Sequence, residues 1–326
     1  MDKIEVMAKG SNIYHVGCST DDNYIHHASV MICSLLENNR NNNIVIHVLY
    51  DALAEMNKAL LLNIASRYDT QLVFHKIDTS KLEGVKFRTV RPLSMAAYYR
   101  LLLASILESV DKVLYLDVDT VILNDISPLF DLELENYALA AVKDVVPCID
   151  AHRMSISLPC GQDYFCSAVM LINLKYWRKN NAQEALLEFA KRDRVVFCHD
   201  QDALNYVFKN QWFCLAPKWN RFNMVYKSGK DFEDYMDRYE YYHKPHIIHF
   251  SDYKPAYKCF GIRCEKYYKY YFNLSGCPPI PSVKVPLSVR LRPLWIYWFR
   301  RFLKIIGLFD WYSYRRYYLR KIAGRV

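Results

Sequence analysis

The stretch VLYLDVDTVILND, residues 113–125, governs how the rest of the chain is interpreted. A nearly continuous apolar run leads into Asp117 and Asp119, two carboxylates one residue apart, and apolar residues resume at Val121. Carboxylates are almost never fully buried unless something compensates their charge. The two aspartates therefore either reach solvent at the end of a strand or hold a cation.

Apolar runs rich in β-branched residues alternate with segments of helical period through the first half of the chain. The sequence predicts strands at residues 12–20, 43–50, 71–78 and 112–119, and helices at residues 24–39, 54–69 and 95–107. Strands that alternate with helices of this length indicate βαβ units and a mostly parallel sheet covered on both faces. The predicted fold class is α/β.

The pattern is less regular after Asp119, with a helix predicted near residues 182–209 and an apolar segment at 246–250. The proline cluster CPPIPSVKVP, residues 277–286, is the one linker signal. We therefore predict one domain over residues 1–278. Residues 279–326 form the linker and a separate C-terminal segment.

Composition and charge separate the body of the chain from its tail. With 326 residues, of which 52% are hydrophobic, the chain can bury a substantial core. The net charge is +9, but ten basic residues and a single acid, Asp310, lie in residues 286–326. The body is therefore neutral, and a partner for the basic tail is a separate question.

Cysteine usage and the N-terminus predict a cytoplasmic protein. The ten cysteines form no C-x-x-C pair and no zinc spacing, which is typical of a reducing compartment. The N-terminal stretch MDKIEVMAKGSN has no apolar signal-peptide core. No apolar run approaches the roughly 18 residues needed to cross a bilayer.

The acidic pair suits a divalent cation. Residues two apart on a strand point to the same side, so Asp117 and Asp119 are expected to present their oxygens together. In an open α/β sheet, the ligand crevice lies at the carboxyl ends of the strands. Hard oxygen ligands suit Mg²⁺ or Mn²⁺ and leave positions for a phosphate-bearing substrate. Two solvated acids at a strand end are the alternative.

A phosphatase is a second alternative. LDVDTV also fits the D-x-D-x-[T/V] opening of haloacid-dehalogenase-type phosphatases, in which the first Asp is a nucleophile. That motif normally lies near the start of its domain and needs a later Gly-Asp motif, and the chain contains no Gly-Asp pair. An EF-hand loop is excluded, because no glycine follows at the required turn position.

Six stretches match one known family together and in its order. They are CSTDDNY (18–24), AAYYRLLLASIL (96–107), DKVLYLDVDTVIL (111–123), MLINLKYWR (170–178), HDQDALN (199–205) and IIHFSDYKP (247–255). Through them the chain resembles glycosyltransferase family 8, the retaining enzymes that include bacterial lipopolysaccharide galactosyl- and glucosyltransferases. The resemblance implies a single GT-A-type domain, a Rossmann-like, mostly parallel mixed sheet flanked by helices, with a nucleotide-sugar donor and a divalent metal.

The resemblance assigns a metal site and a base-binding site. Asp117 and Asp119 correspond to the metal-binding pair that grips the donor diphosphate, and His249 corresponds to the third ligand. A neutral imidazole beside oxygen ligands favours Mn²⁺ over Ca²⁺, with Mg²⁺ as the alternative ion. From the residues alone, a hydrogen-bonded histidine at a strand end is the other interpretation of His249.

Three residues near the N-terminus correspond to those that read the nucleotide base. Asp21 and Asn23 fall where the family holds the uracil edge, and Tyr24 falls where it stacks on the base. Asp21 and Asn23 are also good N-cap residues, so this stretch is equally the start of a helix. Both interpretations can hold, because a helix N-terminus also favours phosphate.

The remaining implied residues surround the sugar and the diphosphate. Arg100 resembles the arginine that contacts both the donor sugar and the diphosphate, and an exposed arginine on a helix is the alternative. Lys254 is assigned to the pyrophosphate. Asp144 corresponds to an acid lining the same cleft. Asp200 and Gln201 resemble the pair beneath the sugar ring, where Asp200 bonds the hydroxyls and Gln201 faces the anomeric carbon.

A glutamine is a poor nucleophile, so the implied chemistry is front-face substitution rather than double displacement. In that scheme the metal and cationic groups stabilise the leaving UDP, an oxocarbenium-like sugar forms, and the acceptor hydroxyl attacks from the same side. The departing phosphate takes the acceptor's proton. The sugar configuration at the anomeric carbon is retained.

The chain departs from the family pattern at two places. It reads FCSA where the family usually carries F-N-A-G, so Cys166, Ser167 and Ala168 replace Asn, Ala and Gly. In HFSDYKP a family glycine and tryptophan are absent, and Lys254 comes one residue early. These departures keep a catalytically silent UDP-sugar-binding or membrane-docking protein as an alternative function.

The tail, residues 286–326, interleaves Arg and Lys with Trp, Phe and Tyr. This composition is typical of an amphipathic helix that lies on anionic lipid. Nucleic acid is not expected as a partner, because the body is neutral and carries no nucleic-acid motif; docking of the tail on the body is the other alternative. We expect a basic, aromatic, helical extension that holds the protein on the inner face of the cytoplasmic membrane.

These interpretations predict a metal-dependent retaining hexosyltransferase. The donor is a UDP-sugar of galactose or glucose. The acceptor is a glycan or glycolipid, such as lipopolysaccharide core or a capsular precursor.

Overall fold

The computed structural model of the chain describes residues 12–85, 94–144, 156–159, 162–192, 198–223, 232, 234–251, 264–279 and 287–306. The strands are β1 (Ile13–Ser19), β2 (Asn43–Tyr50), β3 (Gln71–Lys76), β4 (Lys112–Leu116), β5 (Thr120–Ile122), β6 (Leu139–Lys143), β7 (Phe165–Asn173), β8 (Trp212–Leu215), β9 (Arg221–Phe222) and β10 (Ile247–His249). The α-helices are α1 (Ile25–Glu37), α2 (Glu55–Ser66), α3 (Leu103–Ile106), α4 (Ser127–Phe130), α5 (Leu174–Lys179), α6 (Ala182–Lys191), α7 (Asp200–Val207), α8 (Tyr235–His243), α9 (Glu265–Ser275) and α10 (Leu287–Ile305). A 3₁₀ helix, Met95–Leu102, leads directly into α3.

Seven strands form the main sheet in the order β3-β2-β1-β4-β7-β6-β8. β7 runs antiparallel to both of its neighbours, and the other neighbouring pairs are parallel. All residues of β7 except the last are buried, as expected for a central strand that is covered on both faces. The predicted α/β class, with a mixed and mostly parallel sheet, is confirmed.

Helices cover the sheet on both faces, and strand alternation divides the apolar side chains between them. In β4, Leu114 and Leu116 join a core cluster with α1 and α2, whereas Val113 and Tyr115 face a second cluster. That second cluster contains the 3₁₀ helix and side chains of α5, α6 and α7, including Trp177. The molecule is therefore a three-layer α/β/α arrangement.

A smaller sheet brings the distant end of the body beside the acidic pair. β10 lies between β5, with which it is antiparallel, and β9, with which it is parallel. In this register His249 lies opposite Thr120, which directly follows Asp119. Pairing of these two short strands therefore determines where His249 lies.

Two details of the sequence interpretation are wrong. The strand predicted at residues 112–119 ends at Leu116, and Asp117 begins a turn in which its carbonyl oxygen accepts from Thr120 N at 3.1 Å and Thr120 Oγ1 at 2.7 Å. The acidic pair is thus brought together by a turn, not by strand alternation. The single helix predicted near residues 182–209 is two helices, α6 and α7, and residues 193–197 between them lie outside the described ranges.

The C-terminal extension is helical over α10, as expected. Of the helices in the described ranges, none combines the length and the apolar character that crossing a bilayer requires. The division of the chain at residues 278 and 279 stays a prediction.

Candidate active site

The predicted site residues gather at the carboxyl edge of the main sheet. Asp21 lies just beyond β1, Asp117 follows β4, and Asp144 follows β6. β7 is antiparallel, so it begins at this same edge, where Asp117 N donates to Ala168 O at 2.8 Å. This is the edge at which open α/β sheets bind ligands.

Asp117, Asp119 and His249 converge as the three predicted metal ligands. One ligand atom from each lies within 4.8 Å of the others. The chain is fixed here by backbone pairing, since Phe250 N donates to Asp119 O at 2.9 Å. Two carboxylates and one imidazole, with room for further oxygen ligands, fit Mn²⁺ or Mg²⁺.

His249 is buried between a carboxylate and a thiol. Its Nε2 lies 3.4 Å from Asp119 Oδ1, and its Nδ1 lies 4.0 Å from Cys166 Sγ. Burial by itself lowers the pKa of this imidazole, but Asp119 and then Cys166 outweigh that effect and hold the pKa well above its ordinary value. A divalent ion binds neutral imidazole, so it would take the place of a proton on His249.

Arg100 is the central cation of the cleft. Its Nη2 donates to Asp117 Oδ1 at 2.6 Å, its Nε lies 3.1 Å from Asp200 Oδ2, and its Nη1 donates to Ser167 O at 2.8 Å. The guanidinium lies 4.3 Å from the centre of the Tyr115 ring, and the residue is buried. The alternative of an exposed helical arginine is therefore wrong.

Asp200 shares Arg100 with Asp117 but is more deeply buried. Burial raises the pKa of its carboxyl to about 6, with Arg100 acting against that shift and Asp117 adding to it. The ion pair with Arg100 holds the Asp200 carboxyl in place.

Gln201 is fixed in one orientation by three hydrogen bonds to two neighbouring residues. Its Oε1 accepts from Ser167 N at 2.9 Å and from Ser167 Oγ at 3.3 Å, while its Nε2 donates to Asp144 Oδ2 at 2.9 Å. Donors on one side and an acceptor on the other distinguish the two ends of the amide. The structure thus brings Asp144, Asp200 and Gln201 together, as predicted.

The N-terminus of α7 is anchored by residues that the sequence did not single out. Asp202 is fully buried and accepts from Tyr164 Oη at 2.7 Å and from Cys198 N at 2.9 Å. His199, immediately before the helix, has a φ of 55°, a conformation that costs energy for a residue with a Cβ. The available signal for Asp202 was a second acid in the first turn of α7, two residues after Asp200.

Asp21 confirms the helix-start interpretation of its stretch. Its Oδ1 accepts from Asn23 N at 2.9 Å and from Tyr24 N at 3.1 Å. Asn23 is exposed and Tyr24 is half-buried. Their binding of a base stays a prediction, and Lys254 lies outside the described ranges.

Tyr115 is a further cleft residue that the sequence interpretation missed. Its ring packs under Arg100, and its hydroxyl lies 2.9 Å from Ser19 Oγ. Its place on β4, two residues before Asp117, was the available signal, because that spacing puts both side chains near one face.

The fold and the cleft together define a GT-A-type glycosyltransferase. The family model described as Glycosyl transferase family 8 matches residues 15–255. The chain belongs to this family.

Two relatives and one solved structure illustrate the similarity. General stress protein A of Bacillus subtilis (strain 168) is 30% identical over 247 residues, which are 73% of this chain and 85% of that protein. A lipopolysaccharide 1,2-glucosyltransferase of Escherichia coli is 29% identical over 299 residues, 87% of this chain and 85% of that protein. The structure of the galactosyltransferase LgtC in complex with donor and acceptor sugar analogs has a TM-score of 0.70 at 24% identity, covering 85% of this chain and 99% of that one.

Proposed function

We propose that this glycosyltransferase is metal-dependent and retaining, and that it moves galactose or glucose from a UDP-sugar to a lipid-linked glycan such as lipopolysaccharide core or a capsular precursor. The observation that carries the proposal is the convergence of Asp117, Asp119 and His249 beside Arg100. Relatives named lipopolysaccharide 1,2-glucosyltransferase and lipopolysaccharide 1,3-galactosyltransferase support the choice of sugar and acceptor.

Positive charge from a metal ion and from basic side chains binds the diphosphate of the donor. Asp117, Asp119 and His249 would hold Mn²⁺ or Mg²⁺, and a bound ion would supply positive charge to a diphosphate leaving group. Arg100 adds a fixed positive charge that belongs to the chain itself. Lys254 adds another at the pyrophosphate.

The base and the sugar are positioned by two further groups of residues. Asp21 and Asn23 hold the uracil edge, and Tyr24 stacks on the base. Asp200 accepts from the sugar hydroxyls, and Gln201 faces the anomeric carbon.

Gln201 supports the retaining chemistry. Its amide is held by Ser167 and Asp144, so it cannot rotate freely, and an amide is a poor nucleophile. Front-face substitution needs no enzyme nucleophile, only an acceptor hydroxyl on the same side as the departing UDP. The part of the cleft is therefore to orient the sugar.

The replacement of Asp119 by alanine tests the metal site. In Asp119→Ala we expect transfer from UDP-galactose and UDP-glucose to fall at least about a hundredfold, and Mn²⁺-dependent UDP binding to be lost with it. The matched control is Asp131→Ala, which removes an exposed carboxylate elsewhere and should behave as the native protein. Undiminished transfer by Asp119→Ala would refute the site assignment.

The native protein also separates the alternative functions. UDP binding with Mn²⁺ but no transfer to any acceptor indicates the silent binding protein. Release of phosphate from sugar phosphates, without recognition of UDP, indicates the phosphatase.

We propose that α10 rests on the inner face of the cytoplasmic membrane. Leu287, Leu291, Trp295, Trp298 and Phe302 recur at intervals of three or four residues and are all exposed. Such spacing puts them on one face of the helix. Its sequence also contains five Arg and Lys residues, which favour anionic lipid.

Co-sedimentation with vesicles tests this location. The native protein should sediment with phosphatidylglycerol vesicles and less with phosphatidylcholine vesicles. The double variant Trp295→Ser and Trp298→Ser should lose most of that binding, because both indoles are exposed. Equal sedimentation with and without residues 286–326 would contradict the proposal.

A further inference from the structure

A second concavity lies at the opposite end of the β5–β10 pair from the metal-ligand site. Asp119 and His249 are at one end of this pair, and at the other end Leu123 N donates to His246 O at 2.8 Å. A cavity of about 660 Å³ opens beside that second end. Its volume lies in the range of sites that bind small molecules.

Tyrosines of α9 form one wall of this cavity, which we call the tyrosine cavity. Tyr267, Tyr270 and Tyr271 all line it. Tyr271 is held rigidly, because its hydroxyl accepts from Asn38 Nδ2 at 2.7 Å. Tyr270 is 59% exposed, an unusual position for a large aromatic ring in a concave surface.

Two cationic side chains line another part of the wall. Lys244 and Lys266 line the cavity and are exposed. Lys244 Nζ lies 5.9 Å from the centre of the Tyr239 ring, and Lys266 Nζ lies 4.9 Å from that of Tyr267. Within the described ranges, neither lysine forms an ion pair with a carboxylate, and the nearby Glu240 and Glu265 pair with Lys218 and Lys269 instead.

Among the described residues that line the cavity, the one acid does not cancel this charge. Glu240 lines the cavity, but its Oε2 lies 2.8 Å from Lys218 Nζ. His243 and His246 also line the cavity and can donate hydrogen bonds. The wall therefore combines aromatic faces with cations whose charge is available to a ligand.

We propose that the tyrosine cavity binds a glycan unit that carries an anionic substituent, a phosphate or a carboxylate. A sugar ring presents apolar C–H faces that pack on tyrosine rings, and its anionic group pairs with the two lysines. The tyrosines contact only the sugar ring, and the lysines contact only the anionic group. A ligand that carries both parts should therefore bind more tightly than either part alone. That this glycan unit is part of the acceptor rests on the proposed function. The binding of such a unit in the tyrosine cavity does not rest on it.

Binding of simple probes tests the proposal. Glucose 6-phosphate and glucuronate should bind the native protein saturably in calorimetry or saturation-transfer NMR, more tightly than glucose and more tightly than inorganic phosphate. Binding should persist when UDP and Mn²⁺ are present in excess, because the tyrosine cavity is separate from the metal-ligand site. It should weaken as salt rises.

Two variants locate the site, and a third serves as control. Lys266→Glu should weaken glucose 6-phosphate binding about tenfold, and Tyr270→Ala about threefold or more. Lys269→Glu, the same charge reversal on the same helix but outside the cavity, should leave binding unchanged. All three replaced side chains are exposed, so the variants should keep the native melting temperature.

Three outcomes would overturn the proposal. They are equal binding of inorganic phosphate and glucose 6-phosphate, competition by UDP with Mn²⁺, and unchanged binding in both Lys266→Glu and Tyr270→Ala. Failure of the proposed function has a different signature, in which UDP is not bound while glucose 6-phosphate binding persists.

Discussion

His249 in the cleft and a row of three histidines in the main sheet show how neighbours decide the charge of the same side chain. In the cleft, His249 Nε2 lies 3.4 Å from a carboxylate oxygen of Asp119. Across β1, β2 and β3, a histidine row joins three imidazoles instead. His15 Nδ1 lies 3.0 Å from His47 Nε2, and His47 Nδ1 lies 3.0 Å from His75 Nε2.

Burial acts in the same direction on both groups, but the pKa values move apart. The pKa of His47 is lowered to about 4, by burial first and then by His75 and His15. Burial also lowers the pKa of His15 and of His75. At His249, Asp119 and then Cys166 reverse the direction, so a protonated imidazole is favoured in the cleft and neutral imidazoles are favoured in the row.

The stability of the protein should therefore change differently when a side chain is removed from the cleft and when one is removed from the histidine row. In the cleft, each charge compensates another, so deletion of one leaves an uncompensated charge. In the histidine row, neutral groups share hydrogen bonds, and half-buried His15 and His75 can exchange a lost partner for water.

Removal of Arg100, the central cation of the cleft, should lower the free energy of unfolding the most. Arg100→Met leaves the carboxylates of Asp117 and Asp200 without their common partner, and we expect the free energy of unfolding to fall by about 3–5 kcal/mol. Urea denaturation measures this loss. Arg40→Met, which breaks an exposed pair with Glu37, is the matched control and should cost at most about 1 kcal/mol.

If Arg100→Met and Arg40→Met lost equal free energy of unfolding, the buried ion pairs of the cleft would be no more important for stability than an exposed ion pair. That result would contradict the prediction. Arg100→Lys sharpens the same test. It keeps the charge but cannot reach Asp117, Asp200 and the Ser167 carbonyl together, so it should recover only part of the stability.

The histidine row should make stability depend on pH in a defined direction. The folded pKa of His47 is below its unfolded value of about 6.5, so below pH 6.5 the unfolded chain binds the proton more readily. The stabilisation is present above pH 6.5 and is lost as the pH falls towards 4. We expect about 1–2 kcal/mol of this loss between pH 7 and pH 5.

The variant His47→Gln isolates that contribution, because glutamine hydrogen-bonds on both sides but does not titrate. The difference in free energy of unfolding between native protein and variant should shrink or change sign as the pH falls through this window. Parallel stability curves from pH 7 to pH 5 would show that the row does not titrate as proposed.

The sequence predicted the parts of the cleft that depend on local pattern. Asp117 and Asp119 stand at the end of an apolar strand, and strand periodicity was enough to place them at the ligand edge of the sheet. Resemblance of IIHF and HDQD to family motifs added His249, Asp200 and Gln201. These assignments required no knowledge of contacts between distant segments.

Features set by register and by long-range contact were not predictable. The resemblance placed Arg100 in the cleft, but its ion pair with Asp200 at 3.1 Å was not predictable, because nothing near Arg100 in the sequence indicates that contact. His15, His47 and His75 each lie in a recognisable strand, but only the register of three strands puts their nitrogens within hydrogen-bond distance. A shift of one residue would place His47 on the other face of the sheet.

The smallest effect is expected from the hydroxyl that this chain carries in place of the family's alanine. Ser167 Oγ lies 3.3 Å from Gln201 Oε1 and 3.5 Å from Asp200 Oδ2, both near the limit of a hydrogen bond. The stronger contacts at this residue come from its backbone, whose N–H donates to Gln201 at 2.9 Å and whose carbonyl accepts from Arg100.

Ser167→Ala leaves those backbone contacts in place, so the free energy of unfolding should change by no more than about 1 kcal/mol. Transfer should fall by a factor of about five or less, with the effect in kcat if the hydroxyl steadies Gln201 and in KM if it touches the donor sugar. Gln201→Ala in the same assay should cost far more. A loss in Ser167→Ala as large as that in Arg100→Met would mean that hydroxyl contacts, and not compensated charges, hold the cleft together.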